Sequence, residues 1–220
     1  SDLDIRGHAS MYNFSLTQPL VISRRTKVEA EVDYDHQHSA TDILGNSWVD
    51  DTIKKWTAGL AFTHYGKNSI WYHRHSYSWG NWEDAAENNS NFGKYNLYLL
   101  SQYVLSGHKI LTGKLNAQWS GTSYLPSAEQ FYIGGINSVR GYKENILSGD
   151  KGFSTSLELA VPDRKNSEWV YFFDYGNVGG DSAFDDHVLM STGLGYRLRL
   201  GNSANASLFA GVPFRRTINE

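Results

Sequence analysis

Apolar and polar residues alternate one by one along most of this chain. In 26–35, Thr26, Val28, Ala30, Val32 and Tyr34 fall on one face, and Lys27, Glu29, Glu31, Asp33 and Asp35 on the other. In 94–105, Tyr95, Leu97, Leu99, Tyr103 and Leu105 oppose Lys94, Asn96 and Gln102. In 111–119, Leu111, Leu115, Ala117 and Trp119 oppose Lys114, Asn116 and Gln118. The same rhythm runs through 55–64, 153–161 and 188–199, the last setting Arg197 and Arg199 opposite Tyr196 and Leu198. A period of two is the signature of a strand, and no segment sustains the 3.6 period of a helix. The pattern predicts about ten strands at 9–22, 25–37, 53–64, 68–79, 93–105, 109–121, 152–161, 167–177, 187–199 and 205–214, with almost no helix. Most exceed the ~5–6 residues usual in globular sheets and suit a tilted bilayer crossing of ~9–11 residues.

The connectors alternate as well. Ser23-Arg24, Tyr65–Asn68, Ser106-Gly107-His108, Asp163–Asn166 and Gly201–Ala204 read as tight turns, whereas 38–52, 80–92, 122–151 and 178–186 are longer, polar and rich in Gly, Asn and Asp. Short turns at one end and long loops at the other are the layout of an outer-membrane barrel. The parity holds only if 122–151 is one long loop, which makes Glu129–Gly135 loop despite the strand-like Phe131-Tyr132-Ile133. A soluble β-sandwich also alternates polar and apolar faces. Strand length, loop parity and tryptophans near strand ends (Trp56, Trp71, Trp79, Trp119, Trp169) favour an antiparallel transmembrane β-barrel.

Composition narrows the function. Among 220 residues, net charge is −3 and no basic tract occurs, which argues against a nucleic-acid partner. Cysteine is absent, which excludes disulfides and thiolate metal sites. No apolar run approaches the ~20 residues of a membrane-spanning helix, a fact without bearing on a barrel. There is no nucleotide-binding P-loop and no G-x-S-x-G elbow, so neither a nucleotide, a cofactor nor an enzymatic reaction is expected. His73 and His75, and His36 and His38, have a metal-compatible spacing of two but no placed third ligand, and read as rim histidines. Glu83, Asp84 and Glu87, with Trp79 and Trp82, read as a solvated extracellular loop.

The distinctive chemistry lies in the long loop. Glu129-Gln130-Phe131-Tyr132-Ile133-Gly134-Gly135 leads to Val139-Arg140-Gly141-Tyr142, then Leu147-Ser148-Gly149-Asp150 and Gly152-Phe153. Downstream come Phe172-Phe173-Asp174-Tyr175-Gly176, Gly193–Leu198 and Gly211-Val212-Pro213-Phe214; upstream, Gln18-Pro19-Leu20 precedes Arg24-Arg25. This series resembles the TpsB transporters of two-partner secretion, the haemolysin secretion/activation proteins of the Omp85 superfamily. The resemblance covers most of the chain and is strongest from 129 to 214.

The resemblance implies a sixteen-stranded outer-membrane barrel whose sixth extracellular loop, 122–151 here, folds back into the lumen. It implies that Arg140, within Val139, Gly141 and Tyr142, pairs with Asp174, framed by Phe172 and Gly176. Alternation independently puts Glu168, Val170, Phe172, Asp174 and Gly176 on one face, opposite Trp169, Tyr171, Phe173 and Tyr175. If the aromatic face meets lipid, Asp174 points inward. The expected conduit is lined by Lys27, Glu29, Glu31, Lys94, Lys114, Glu158, Arg197 and Arg199. The implied partners are a secreted TpsA-like exoprotein and outer-membrane lipid. Six strands before the loop and four after it correspond to the sixth through fifteenth of such a barrel, so one partial barrel domain spans 1–220, without its first strands and periplasmic POTRA domains. A BamA- or TamA-like assembly factor is the related alternative, disfavoured by Leu147-Ser148-Gly149-Asp150. A passive porin or adhesin barrel would not require the Val139–Tyr142 and Phe172–Gly176 motifs.

Overall fold

A computed structural model describes residues 5–44, 46–86, 88–122, 124–180, 187–201 and 204–214. The strands, in chain order, are β1 (Ile5–Ile22), β2 (Thr26–Ile43), β3 (Asn46–Tyr65), β4 (Ser69–Glu83), β5 (Asn89–Val104), β6 (Ile110–Ser120), β7 (Phe131–Ile133), β8 (Leu147–Gly149), β9 (Lys151–Arg164), β10 (Ser167–Gly179), β11 (Val188–Leu200) and β12 (Ala204–Pro213). Among the described residues the only helical turns are the 3₁₀ segments Ser106–His108 and Ser127–Glu129. All ten expected strands are present, in one antiparallel sheet ordered β1-β2-β3-β4-β5-β6-β9-β10-β11-β12. β7 and β8 pair only with each other, as a ribbon inside the long β6–β9 connection.

Register turns the alternation into two chemically distinct faces. One row of cross-strand partners runs Leu16, Val32, Ala58, Tyr77, Tyr95 and Trp119. The adjacent row runs Thr17, Glu31, Gly59, Ser76, Asn96, Gln118 and Gly152. The β6–β9 connection lies against the second, polar face, which we call inward. The outward face carries Trp56, Trp71, Trp79, Trp119 and Trp169, all substantially exposed. On β10, Trp169, Tyr171 and Phe173 are exposed outward, while Val170, Phe172 and Asp174 are 0–3% exposed inward.

Two expected loops are mostly strand. In 38–52, β2 and β3 pair to Ile43↔Asn46, and in 80–92, β4 and β5 pair to Glu83↔Asn89. Outside a bilayer both faces of a hairpin are wet, so pairing continues where hydrophobic alternation has faded. Side-chain hydrogen bonds add to the backbone pairing there: His38 Nδ1 lies 3.2 Å from Thr52 Oγ1, and Asn81 hydrogen-bonds Asn89. Asp84 closes the remaining 84–88 turn by accepting from the Ala86 and Asn88 amides, each at 2.9 Å. The hydrogen bonds from Asn88 hold the Asp84 carboxyl below its ordinary value, with the Ala86 amide contributing. Glu87 and most of the expected 178–186 loop lie outside the described residues.

Phe131-Tyr132-Ile133, expected as loop, forms β7, because its partner Leu147-Ser148-Gly149 returns within the same loop. His73 and His75 are not at a rim. They lie on the outward face of β4 between Trp71 and Trp79, beside Phe62, Leu99 and Leu97. There His73 Nδ1 is 3.0 Å from His75 Nε2, and His75 Nδ1 is 2.5 Å from the Tyr95 hydroxyl.

Candidate functional site

The connection 121–150 lies on the inward face under apolar and ionic restraint. Phe131 and Ile133 of β7 and Val139 of the loop form a buried cluster with Val178 of β10 and Leu189 of β11; Tyr142, Ile146 and Leu147 pack around it. Burying side chains of this size contributes roughly 1.5–3 kcal/mol each. A second cluster joins Leu125 of the loop to Ile53 of β3 and Phe92 of β5, with Trp82 alongside. These contacts set the loop's position, and the polar groups then fix its register.

Arg140 is 6% exposed and reaches three strands. Its Nε donates to Asp174 Oδ2 and its Nη2 to Asp174 Oδ1, both at 2.7 Å, a bidentate fork. Its backbone amide also donates to Asp174 Oδ2 at 3.1 Å. Nη1 donates to Glu158 Oε1 at 2.6 Å, and Nη2 also reaches Ser156 Oγ at 2.9 Å. The guanidinium carbon lies 3.7 Å from the centre of the Phe172 ring and 5.2 Å from that of Phe209. Burial disfavours the charge, but Asp174 and Glu158 outweigh it, so the Arg140 pKa lies above its ordinary value. The second Glu158 oxygen accepts from Arg197 Nη2 at 2.6 Å, and Arg197 Nη1 also reaches Glu168 at 3.2 Å.

The residues around the arginine fit it by shape. Gly141 has φ +91°, and a Cβ on its neighbour Gly211 of β12 would stand 2.9 Å from the Gly141 nitrogen, so bare backbone meets bare backbone there. A Cβ on Gly176 would meet a Val139 methyl at 2.9 Å. In Phe172–Gly176, therefore, Phe172 backs the guanidinium, Asp174 chelates it and Gly176 admits the valine before it. Tyr142 donates its hydroxyl to the Met190 carbonyl at 3.1 Å. Asp150, in Leu147–Asp150, accepts from the Leu125 amide at 3.0 Å and so ties the two ends of the loop together.

A separate ionic cluster holds the start of the loop. Glu129 is 4% exposed; its Oε1 lies 2.7 Å from Lys55 Nζ of β3, and its Oε2 lies 2.8 Å from Lys94 Nζ of β5. Lys94 also donates to the Glu129 carbonyl at 2.8 Å and to Gln118 Oε1 at 3.2 Å. Lys55 lies 3.7 Å from Asp35. Sequence reasoning placed Lys94 on this face but assigned no role to Glu129 or Lys55, which are 74 residues apart. Of the other inward residues, Lys27 pairs with Glu29 at 2.8 Å and Glu31 with Arg74 at 2.5 Å. Lys114 shares a cross-strand row with Ser156 and Asp174, and Arg199 stands exposed beyond Arg197 on the same face of β11.

The family model described as haemolysin secretion/activation protein ShlB/FhaC/HecB matches residues 1–198. The chain belongs to this family. As a haemolysin secretion/activation protein it is an outer-membrane β-barrel protein of the TpsB type. CdiB from Acinetobacter baumannii superimposes with TM-score 0.81 at 21% identity, over 98% of this chain and 40% of that one. CdiB from Escherichia coli gives TM-score 0.81 at 20% identity, over 95% and 42%. Both share its fold. Outer envelope protein 80, chloroplastic, of Arabidopsis thaliana is 38% identical over 88 residues, which are 36% of this chain and 12% of that protein. The chain thus spans about two fifths of each solved relative and a smaller part of the plant protein.

Proposed function

We propose that this chain supplies the translocating wall of an outer-membrane pore that secretes a partner exoprotein in two-partner, or type Vb, secretion. The cargo class is a large TpsA-like exoprotein, such as an adhesin, haemolysin, haem carrier or contact-dependent toxin, crossing unfolded. No nucleotide and no catalytic step take part; folding of the cargo outside is the drive. The outward aromatic face is turned to lipid, the loop 122–151 enters from the extracellular side, and the inward row of Lys27, Glu29, Glu31, Lys94, Lys114, Glu158, Arg197 and Arg199 lines the conduit. Mixed charge on such a wall gives a passing chain no single sign to adhere to.

The observation that carries this reading is the Arg140–Asp174 fork between the loop and the wall. We assign it the role of a latch. The arginine side chain is 7% exposed and the aspartate 0%, so the pair sits in the drier regime, where losing one partner costs about 3–5 kcal/mol rather than the ~1 kcal/mol of an exposed pair. An export assay on the whole protein with its partner tests it. R140D and D174R should each lose secretion while reaching the outer membrane, and the charge-swapped double variant should regain a substantial fraction. A double variant as inactive as the singles, at equal membrane level, would count against direct pairing.

A further inference from the structure

The lysine pair at the start of the loop has a consequence of its own. Lys55 and Lys94 project from two strands, β3 and β5, toward one carboxylate, and that carboxylate belongs to the loop, not to the wall. Their side chains are 18% and 10% exposed. Among the described residues Lys94 has three partners: the Glu129 carboxylate, the Glu129 carbonyl and Gln118. If the loop withdraws, two of the three go with it, and Lys55 and Lys94 lose the carboxylate that lies between them. Two neighbouring cations facing one opening favour a replacement anion. Beside the lysines the same face opens into a polar cleft of about 330 Å³, bordered by Asp33, Asp35, Arg74 and Asn96, through which an incoming side chain can approach.

We propose that Lys55 and Lys94 form a carboxylate-binding site in the pore wall, occupied in this state by the loop's own Glu129. An acidic side chain of a polypeptide in transit competes for it. The loop then bridges two walls with opposite charges, an anion to the Lys55–Lys94 side and a cation, Arg140, to the Asp174–Glu158 side. Release of the first end is thereby coupled to the presence of cargo. This inference rests on the reading of the chain as a translocating pore, but its test does not use secretion.

The experiment is conductance of the whole purified protein in planar bilayers, with a soluble glutamate-rich decapeptide or its glutamine counterpart as probe. E129Q should raise the open probability by roughly tenfold or more, as befits loss of a desolvated ion pair. The charge-exchanged E129K/K94E variant, which keeps two cations and one anion in the cluster, should bring it back toward the original value and shows that folding is intact. The glutamate peptide should raise the open probability of the unaltered protein, the glutamine peptide should not, and K55Q/K94Q should abolish the difference. E129Q gating like the parent, or equal responses to the two peptides, or a peptide effect that survives K55Q/K94Q, would each overturn the proposal. Failure of secretion rescue at Arg140–Asp174 with these gating results intact would count against that latch alone, whereas a whole protein that conducts no current in any variant would count against the pore reading.

Discussion

Replacing Asp174 with asparagine removes the charge from the centre of the Arg140 contacts while preserving side-chain size. The fork from Nε and Nη2 and the bond from the Arg140 amide all end on this carboxylate. Loss of one partner of a buried ion pair costs about 3–5 kcal/mol. Glu158 still neutralises the arginine through Nη1, and the substituted amide still offers one carbonyl oxygen, so the lower end applies, about 3 kcal/mol. At 1.4 kcal/mol per tenfold, that shifts the docked-to-released equilibrium of the loop by roughly a hundredfold. Hydrogen–deuterium exchange on the β7–β8 ribbon reports this equilibrium, because two three-residue strands are too short to keep their pairing away from the wall. In D174N those amides should exchange one to two orders of magnitude faster, with β3–β5 amides unchanged. E158Q should have a smaller effect, since Glu158 divides itself between Arg140 and Arg197. Unchanged ribbon exchange in D174N, or a larger effect from E158Q, would refute the assignment of Asp174 as the main anchor.

Three further outcomes are expected. G211A, whose new Cβ would stand 2.9 Å from the Gly141 nitrogen, should displace the loop tip and raise protease cleavage in 134–146, whereas G121A, with nothing within 4 Å, should not. D150A should leave the Leu125 amide without its acceptor, cost about 1–3 kcal/mol, and speed hydrogen exchange at the loop amides. The Asp84 carboxyl has a lowered pKa in the folded chain, so its hold on the 84–88 turn is present above the ordinary carboxylate range and is lost as pH falls through the lower folded value; the Ala86 and Asn88 amide shifts should titrate there, and D84N should abolish that titration.

What the sequence revealed depended on which physical signal each feature left. The ten barrel strands were legible because one face meets apolar surroundings and the other does not. The ends of β2, β3, β4 and β5 were not, because beyond the membrane both faces are polar and alternation ceases while pairing continues. The facing of Asp174 followed from simple parity along β10. The position of His73 and His75 did not, since two residues on one face reveal nothing of their depth along the strand. Arg140 stood out through its glycines, but its contacts with Glu158, Ser156 and Phe209 required the register of four strands. Glu129 and Lys55 left no local trace at all, because their proximity is created only when the loop folds back over β3.

On the proposed function, the loop docked on the inward wall beside β10 must leave it for secretion. The 220 residues contain no cysteine, and the Val139 methyl lies 2.9 Å from where a Cβ on Gly176 would stand, close to the ~3 Å that separates one cysteine's sulfur from the other's Cβ across an S–S bond of ~2.05 Å. The double variant V139C/G176C should therefore form a disulfide in the intact protein and block export of the partner, and a reductant should restore it. Export that continues at full rate with the bond formed would show that the loop need not move, and failure of the two cysteines to bridge under oxidising conditions in a folded barrel would show that it does not dock there.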